Sequence, residues 1–151
     1  MISEADRRYP NRPVIGVGAL IFHRGRILMA QRGKEPLKGW WSLPGGAVEA
    51  GETLDTAIRR EVLEETSLVV EPLRVHEIFE RIMRDSDGTL EYHFVLVDYV
   101  CRVTSGTATA GDDVARVEWM REEELSALQI TEGTLAVIER AFRKRRQYKR
   151  K

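Results

Sequence analysis

The chain holds a single cysteine, only three histidines and no net charge, and each shortage excludes a class of protein. Cys101 has no partner for an internal disulfide framework, and its apolar neighbours read as the surroundings of a small buried hydrophobe. His23, His76 and His93 are scattered without ligand spacing, which argues against a zinc site. No stretch approaches the ~18 apolar residues of a membrane span. The opening MISEADRRYPNRP, residues 1–13, is a polar lead-in without the apolar segment of a secretion signal. The expected setting is cytoplasmic, with no membrane partner. Internal repeats and linkers are absent too, so 151 residues at 42% hydrophobic read as one domain, 1–151, with a core of its own.

The zero balance conceals an asymmetry. RAFRKRRQYKRK, residues 140–151, carries eight basic side chains and no acid, which leaves −8 on the rest. An acidic body agrees with a site that holds metal ions. The basic end, residues 143–151, reads first as a solvated tail and second as a contact for RNA or acidic lipid.

Periodicity gives an α/β chain. VIGVGALIF (14–22) and RILMAQR (26–32) read as paired strands around a turn at Gly25. Residues 33–52, GKEPLKGWWSLPGGAVEAGE, are rich in Gly and Pro and form a long loop with one short apolar piece, and such loops are usually functional. TLDTAIRREVLEE (53–65) is a helix with Thr53 as N-cap, Asp55 in the first turn and an apolar stripe of Leu54, Ala57, Ile58 and Val62. Strands are expected over 73–84 and 89–103, joined at Asp87-Gly88, and a short one over 114–120. The remainder, EEELSAL and TEGTLAVIERAFRKRR, looks helical, with Leu135, Ile138 and Phe142 facing inward.

The helix 53–65 contains a cost that folding alone does not explain. Glu61, Glu64 and Glu65 fall within roughly a 100° arc of helix surface. Like charges at that spacing repel by roughly a few tenths of a kcal/mol per pair. Acids in a last turn also face the negative end of the helix dipole, at about 0.3–1 kcal/mol each. A cation near this face would offset both, and Mg²⁺ or Mn²⁺ favours the hard oxygens that carboxylates and carbonyls supply. A plain surface helix with Arg60–Glu64 pairs explains the arginines but neither the glycine-rich lead-in nor the concentration of acids.

Loop and helix together, GGAVEAGETLDTAIRREVLEETSL, place five residues between Gly46 and Glu52, and seven more before Arg60-Glu61. Glu64-Glu65 follows apolar Val62 and Leu63. This resembles the signature of the Nudix hydrolases, which cleave nucleoside diphosphates linked to another moiety. Every charged position of the pattern matches, while Ser67 stands where glycine is usual. A left-handed residue often closes a helix there, and serine in that conformation costs on the order of 1 kcal/mol.

The resemblance implies an α/β/α sandwich around a mixed sheet, with a loop–helix–loop motif. It implies hydrolysis of a pyrophosphate bond with Mg²⁺, or Mn²⁺, as cofactor. Glu61, Glu64 and Glu65 are then the metal ligands, with the Gly46 carbonyl as an additional one, Glu52 near the metals and Arg60 orienting a glutamate. The base is Glu64 or Glu65, with Asp113 second, and Asp112 is an alternative to Asp113 as an outlying carboxylate. Arg32 is a candidate for phosphate, and Trp40 and Trp41 for base stacking, one of the two being core. Tyr92 and Phe94 share a strand face and either line the cleft or pack. The substrate reading is an ADP-ribose-like nucleotide or nucleotide sugar, since GDD before VEWM resembles bacterial ADP-ribose pyrophosphatases. The proline many of these carry beyond the box is missing, with Met83 and Arg84 in that region, and so is an SQPW-type motif. Nucleoside triphosphates, RNA 5′ ends and a silent ligand sensor are the alternatives, and the family often forms homodimers.

Overall fold

The computed structural model describes residues 4–149. A first turn of helix, α1 (Glu4–Arg7), precedes strands β1 (Val14–His23) and β2 (Arg26–Arg32). The long loop contains two short strands, β3 (Trp41–Ser42) and β4 (Gly45–Ala47), and leads into α2 (Leu54–Thr66). A hairpin of β5 (Val69–Arg84) and β6 (Leu90–Ser105), then β7 (Val114–Met120), a 3-10 turn (Glu122–Ala127) and α3 (Thr134–Lys149) complete the chain.

The sheet is mixed, in the order β3-β2-β1-β6-β5, with β4 added on β1 and β7 on β2. β1 and β6 run parallel; the other pairings are antiparallel. Strand β1 is apolar along its length because it is covered on both faces. Val17, Ala19 and Ile21 pack with Ala57, Ile58 and Val62 of α2, whereas Leu20 and Phe22 pack with Val137, Ile138 and Phe142 of α3. The period of two therefore sorts one hydrophobic run between two cores, and each fully buried Leu or Ile contributes about 1.5–3 kcal/mol. The result is the expected α/β/α layering, and Leu135 lies at the margin of the α3 core.

Three details differ from the periodicity. β5 begins at Val69 and runs through Pro72, which is tolerated because β5 is the sheet edge and its register shifts there. EEELSAL forms a 3-10 turn with only Leu125 buried. The last helix runs on past Arg146 to Lys149, so the basic end belongs to α3; most of residues 143–148 are exposed, while Arg145 lies 4.2 Å over the Phe22 ring and Arg146 pairs with Glu122 at 2.6 Å. Residues 150 and 151, like 1–3 of the lead-in, lie outside the described residues. The rest of the lead-in is tied down, with Arg8 paired to Glu91 and the Tyr9 hydroxyl donating to Asp85 at 2.7 Å. Among the described residues no helix is long and apolar enough to cross a membrane.

Candidate active site

Helix α2 is placed by both ends. At its start the Thr56 amide donates to Thr53 Oγ1 at 3.1 Å, a cap worth about 1 kcal/mol. At its close Ser67 adopts the left-handed conformation, φ 63°, and its amide reaches the Leu63 carbonyl at 3.0 Å. The polar stretch after β6 then covers two more carbonyls: the Thr109 amide donates to Thr66 and the Gly111 amide to Glu65, both at 2.9 Å. A side chain at Gly111 would collide with the Glu64 carbonyl. This contact brings Asp112 and Asp113 to the rim of the same cleft that α2 borders.

The apolar stripe of α2 faces the sheet, so its acids project toward β4. That three-residue strand is held by β1 in the register Val17 opposite Gly46 and Gly18 opposite Gly45. The glycines are steric requirements. A Cβ on Gly46 would fall 2.5–2.6 Å from the Glu61 carboxylate, and one on Gly45 would strike the Val17 carbonyl. Glu65 is anchored by the Gly45 amide at 2.9 Å.

Arg60 organises the acids. Its Nε and Nη2 donate to the two oxygens of Glu52 at 2.6 and 2.8 Å, and Nη2 also reaches the Ala47 carbonyl at 3.2 Å. Its Nη1 donates to Glu61 at 2.8 Å and Glu64 at 3.3 Å. Glu52 also accepts the Glu49 amide. Arg60, helped by that amide, holds the Glu52 carboxyl down at about 2. Burial acts the other way on the inner acids: it pushes Glu61 up against the pull of Arg60, and Glu65 up to about 8.

As the side chains stand, no three acids among the described residues converge to ion-binding distance, and Arg60 bridges the space between Glu61 and Glu64. The donors nevertheless suit a hard divalent ion in kind. Hard carboxylate oxygens and the Gly46 backbone line the same cleft, and burial raises two of the carboxyls, Glu61 and Glu65, the former despite its bond to Arg60. Glu61, Glu64 and Glu65 would be its holders.

The cleft has a volume of about 470 Å³. Gly46, Arg60, Glu61, Glu64, Glu65, Asp112, Asp113 and Arg32 all line it. Asp113 is engaged at the rim by Lys34 at 2.6 Å, and Arg32 Nε donates to the Pro36 carbonyl at 2.7 Å. Glu52 stands behind Arg60 instead of on the lining. One of the two tryptophans is core, as expected, and it is Trp41, 7% exposed and packed with the α3 cluster; the stacking role departs from the structure, since neither Trp40 nor Trp41 lines the cleft. Aromatic surface comes from Tyr92 and Phe94, stacked at 6.1 Å and bordering an adjoining pocket with Arg32 and Arg81.

Among the lining residues that escaped the sequence reading are Arg81 and Asp98. Arg81 bonds from Nη2 to Thr131, Thr134 and the Glu132 carbonyl. Asp98 is 4% exposed in the middle of β6. A signal for Asp98 was present: it is a lone acid within the apolar run FVLVDYV.

The sequence and fold can be set beside known proteins. The NUDIX domain family matches residues 12–141. An ADP-ribose pyrophosphatase of Methanocaldococcus jannaschii is 33% identical over 116 residues, 77% of this chain and 66% of that protein. The nucleoside triphosphatase NudI of an Enterobacter species is 30% identical over 115 residues, 71% of this chain and 78% of its own. The NUDIX domain of Shewanella oneidensis NrtR, solved in complex with ADP ribose, aligns with a TM-score of 0.70 and 26% identity over 89% of each chain. The chain spans about two thirds of the length of the first curated relatives it matches. With the family pattern spanning most of the sequence and the acids of α2 gathered at a glycine-lined cleft, this chain belongs to the Nudix hydrolase family.

Proposed function

We propose that the protein hydrolyses the pyrophosphate bond of an ADP-ribose-like nucleotide or nucleotide sugar, with Mg²⁺, or Mn²⁺ in its place, held by Glu61, Glu64, Glu65 and the Gly46 carbonyl. The observation that carries this reading is the shared cleft: the acids of α2 form one wall while Arg32 and Arg81 stand on the lining beyond them. An anionic diphosphate with a bulky group at each end meets the demands of both. The volume also lies within the roughly 300–1,000 Å³ of small-molecule sites.

The divalent ion, when bound, neutralises phosphate charge and lowers the pKa of water. The chain's own contribution is placement. Arg60, fixed by both oxygens of Glu52, holds Glu61 in position, and the Gly45 amide holds Glu65. Glu64 is the more open carboxylate, with one long bond to Arg60, and takes the proton of the attacking water. The water's oxygen joins one phosphorus as the bridging P–O bond breaks, and the other phosphate departs with the bridging oxygen. Asp113, already paired with Lys34, is the second choice as base.

The test is a substrate panel with Mg²⁺, read by mass spectrometry, with Glu64→Gln as control. AMP and ribose 5-phosphate from ADP-ribose, lost in the control, is the expected outcome. Pyrophosphate released from a triphosphate supports the second reading, favoured by the similarity to NudI. Absence of metal-dependent turnover on every compound refutes both.

A further inference from the structure

Asp98 takes no part in the acid–arginine network of α2, yet it lines the same cleft. It is 4% exposed, and what acts on its carboxylate is burial and the charges of Glu77 and Arg81, with no hydrogen bond among them. Arg81, the cation that pulls on it, spends its Nη2 on Thr131, Thr134 and the Glu132 carbonyl instead. A buried carboxylate without donors is costly, and native folds seldom leave one so without a use.

The neighbouring strand is shaped around it. Gly18 of β1 lies opposite Asp98 in the parallel ladder, and a Cβ there would collide with Asp98 Oδ1. The same Gly18 faces Gly45 of β4 across its other edge. Thus the sheet presents a second glycine–carboxylate pair, with the Asp98 backbone two strand spacings from Gly45, or roughly 10 Å, and its carboxylate turned over Gly18 between them. Asp98 stands apart from the hydrogen-bonded acids of α2, and near enough to meet a group attached to the phosphates.

We infer that Asp98 is a specificity residue that accepts a hydrogen bond from a donor on the substrate beyond the diphosphate. Either a sugar hydroxyl or an N–H of the base can supply the donor. The inference rests on the cleft being the nucleotide site.

The experiment compares wild-type protein with Asp98→Asn and Gly18→Ala, the latter moving the carboxylate without removing it. Steady-state kinetics use ADP-ribose, an analogue without the terminal-ribose hydroxyls, and an analogue with unsubstituted purine in place of adenine, which has neither the 6-amino group nor an N1–H. Both variants are expected to raise KM for ADP-ribose at least tenfold with a much smaller change in kcat. The analogue lacking the relevant donor should bind wild type and Asp98→Asn alike, which identifies sugar or base as its source. Melting curves at pH 8 accompany the kinetics, where Asp98→Asn is expected to melt no lower than wild type. Unchanged KM in both variants overturns the inference. So does an equal loss on all three compounds, or a melting loss without substrate selectivity, since those mark a structural acid. If wild type turns over none of the compounds, the function reading fails separately, and calorimetry with AMP and ribose 5-phosphate reads Asp98 directly. Equal affinity of wild type and Asp98→Asn for both ligands, or no binding by wild type, then overturns it.

Discussion

Replacing Gly46 by alanine separates the seating of a carboxylate from the stability of the fold. The new Cβ would stand 2.5–2.6 Å from the carboxylate carbon and both oxygens of Glu61, so one partner must move. The backbone of β4 is fixed by its ladder with β1, and Gly46 has no left-handed φ that alanine would strain. Glu61 is the movable partner, and a normal contact requires its carboxylate to retreat by about 1 Å. Retreat weakens the Arg60–Glu61 bond, a charge-assisted contact worth about 1.5–3 kcal/mol when intact. Partial exposure and the remaining bonds of Arg60 reduce the net loss to about 1–2 kcal/mol, or roughly 2–8 °C in Tm for a chain of this size. The activity effect is larger, because an error of about 1 Å in a positioned catalytic group costs on the order of a hundredfold. The measurements are kcat/KM for ADP-ribose with Mg²⁺ and a thermal melt on the same preparation. A variant with wild-type kcat/KM would falsify the seating role. A collapse of the fold would refute the claim that the side chain, and not the strand, gives way.

Three further outcomes are expected. Ser67→Gly relieves a left-handed serine at the end of α2, and after the greater freedom of glycine in the unfolded chain it should stabilise by about 0.5–1 kcal/mol, seen as a rise in denaturant midpoint. Glu52 ionises well below its ordinary 4.5, at about 2, because Arg60 holds the charged form. Its contribution is therefore complete above pH 4.5 and lost as pH falls toward 2, so the stability gap between wild type and Glu52→Gln should close over that window in urea titrations. Cys101 is 2% exposed and its thiol is pushed up to about 12 by burial, so native protein should resist alkylation at pH 8 while urea-unfolded protein reacts at once.

The parts legible in the sequence are those whose signals are local. Thr53 and the Ala57, Ile58, Val62 stripe define α2 within a few residues, and the α2 acids are recognisable because their repulsion lacks a folding rationale. The parts that were not legible depend on distant partners. SLPGGA has no strand propensity, and β4 reaches β1 because Gly45, without a Cβ, can lie against the backbone of Val17 and Gly18. Nothing adjacent to Trp40-Trp41 distinguishes core from cleft; the pairing of Trp41 with Gln31 and its bridge to Ile130 do that from far along the chain. The basic run offers no local sign that Phe22 and Glu122 will receive Arg145 and Arg146. Asp98 shows its oddity locally, but its purpose requires knowing that Gly18 lies across from it.

The long loop is in truth two segments with separate obligations. Residues 41–47 are stitched into the sheet, whereas 33–39 bulge from a neck closed by Arg32, whose amide donates to the Trp40 carbonyl at 2.8 Å and whose carbonyl accepts the Gly39 amide at 2.9 Å. A neck of that kind isolates whatever lies beyond it from the strands below, much as a hairpin isolates its tip. Lys34 and Glu35 border the cleft from this bulge, and Pro36 and Leu37 border the adjoining pocket. Descendants of this chain can therefore lengthen, shorten or rewrite 33–39, and so change the compounds admitted, while the glycines that seat the acids stay where they are. Selection for a new substrate falls on the bulge and selection for hydrolysis on the stitched segment, with the Gly33 and Lys34 contacts to Asp113 as the link between them.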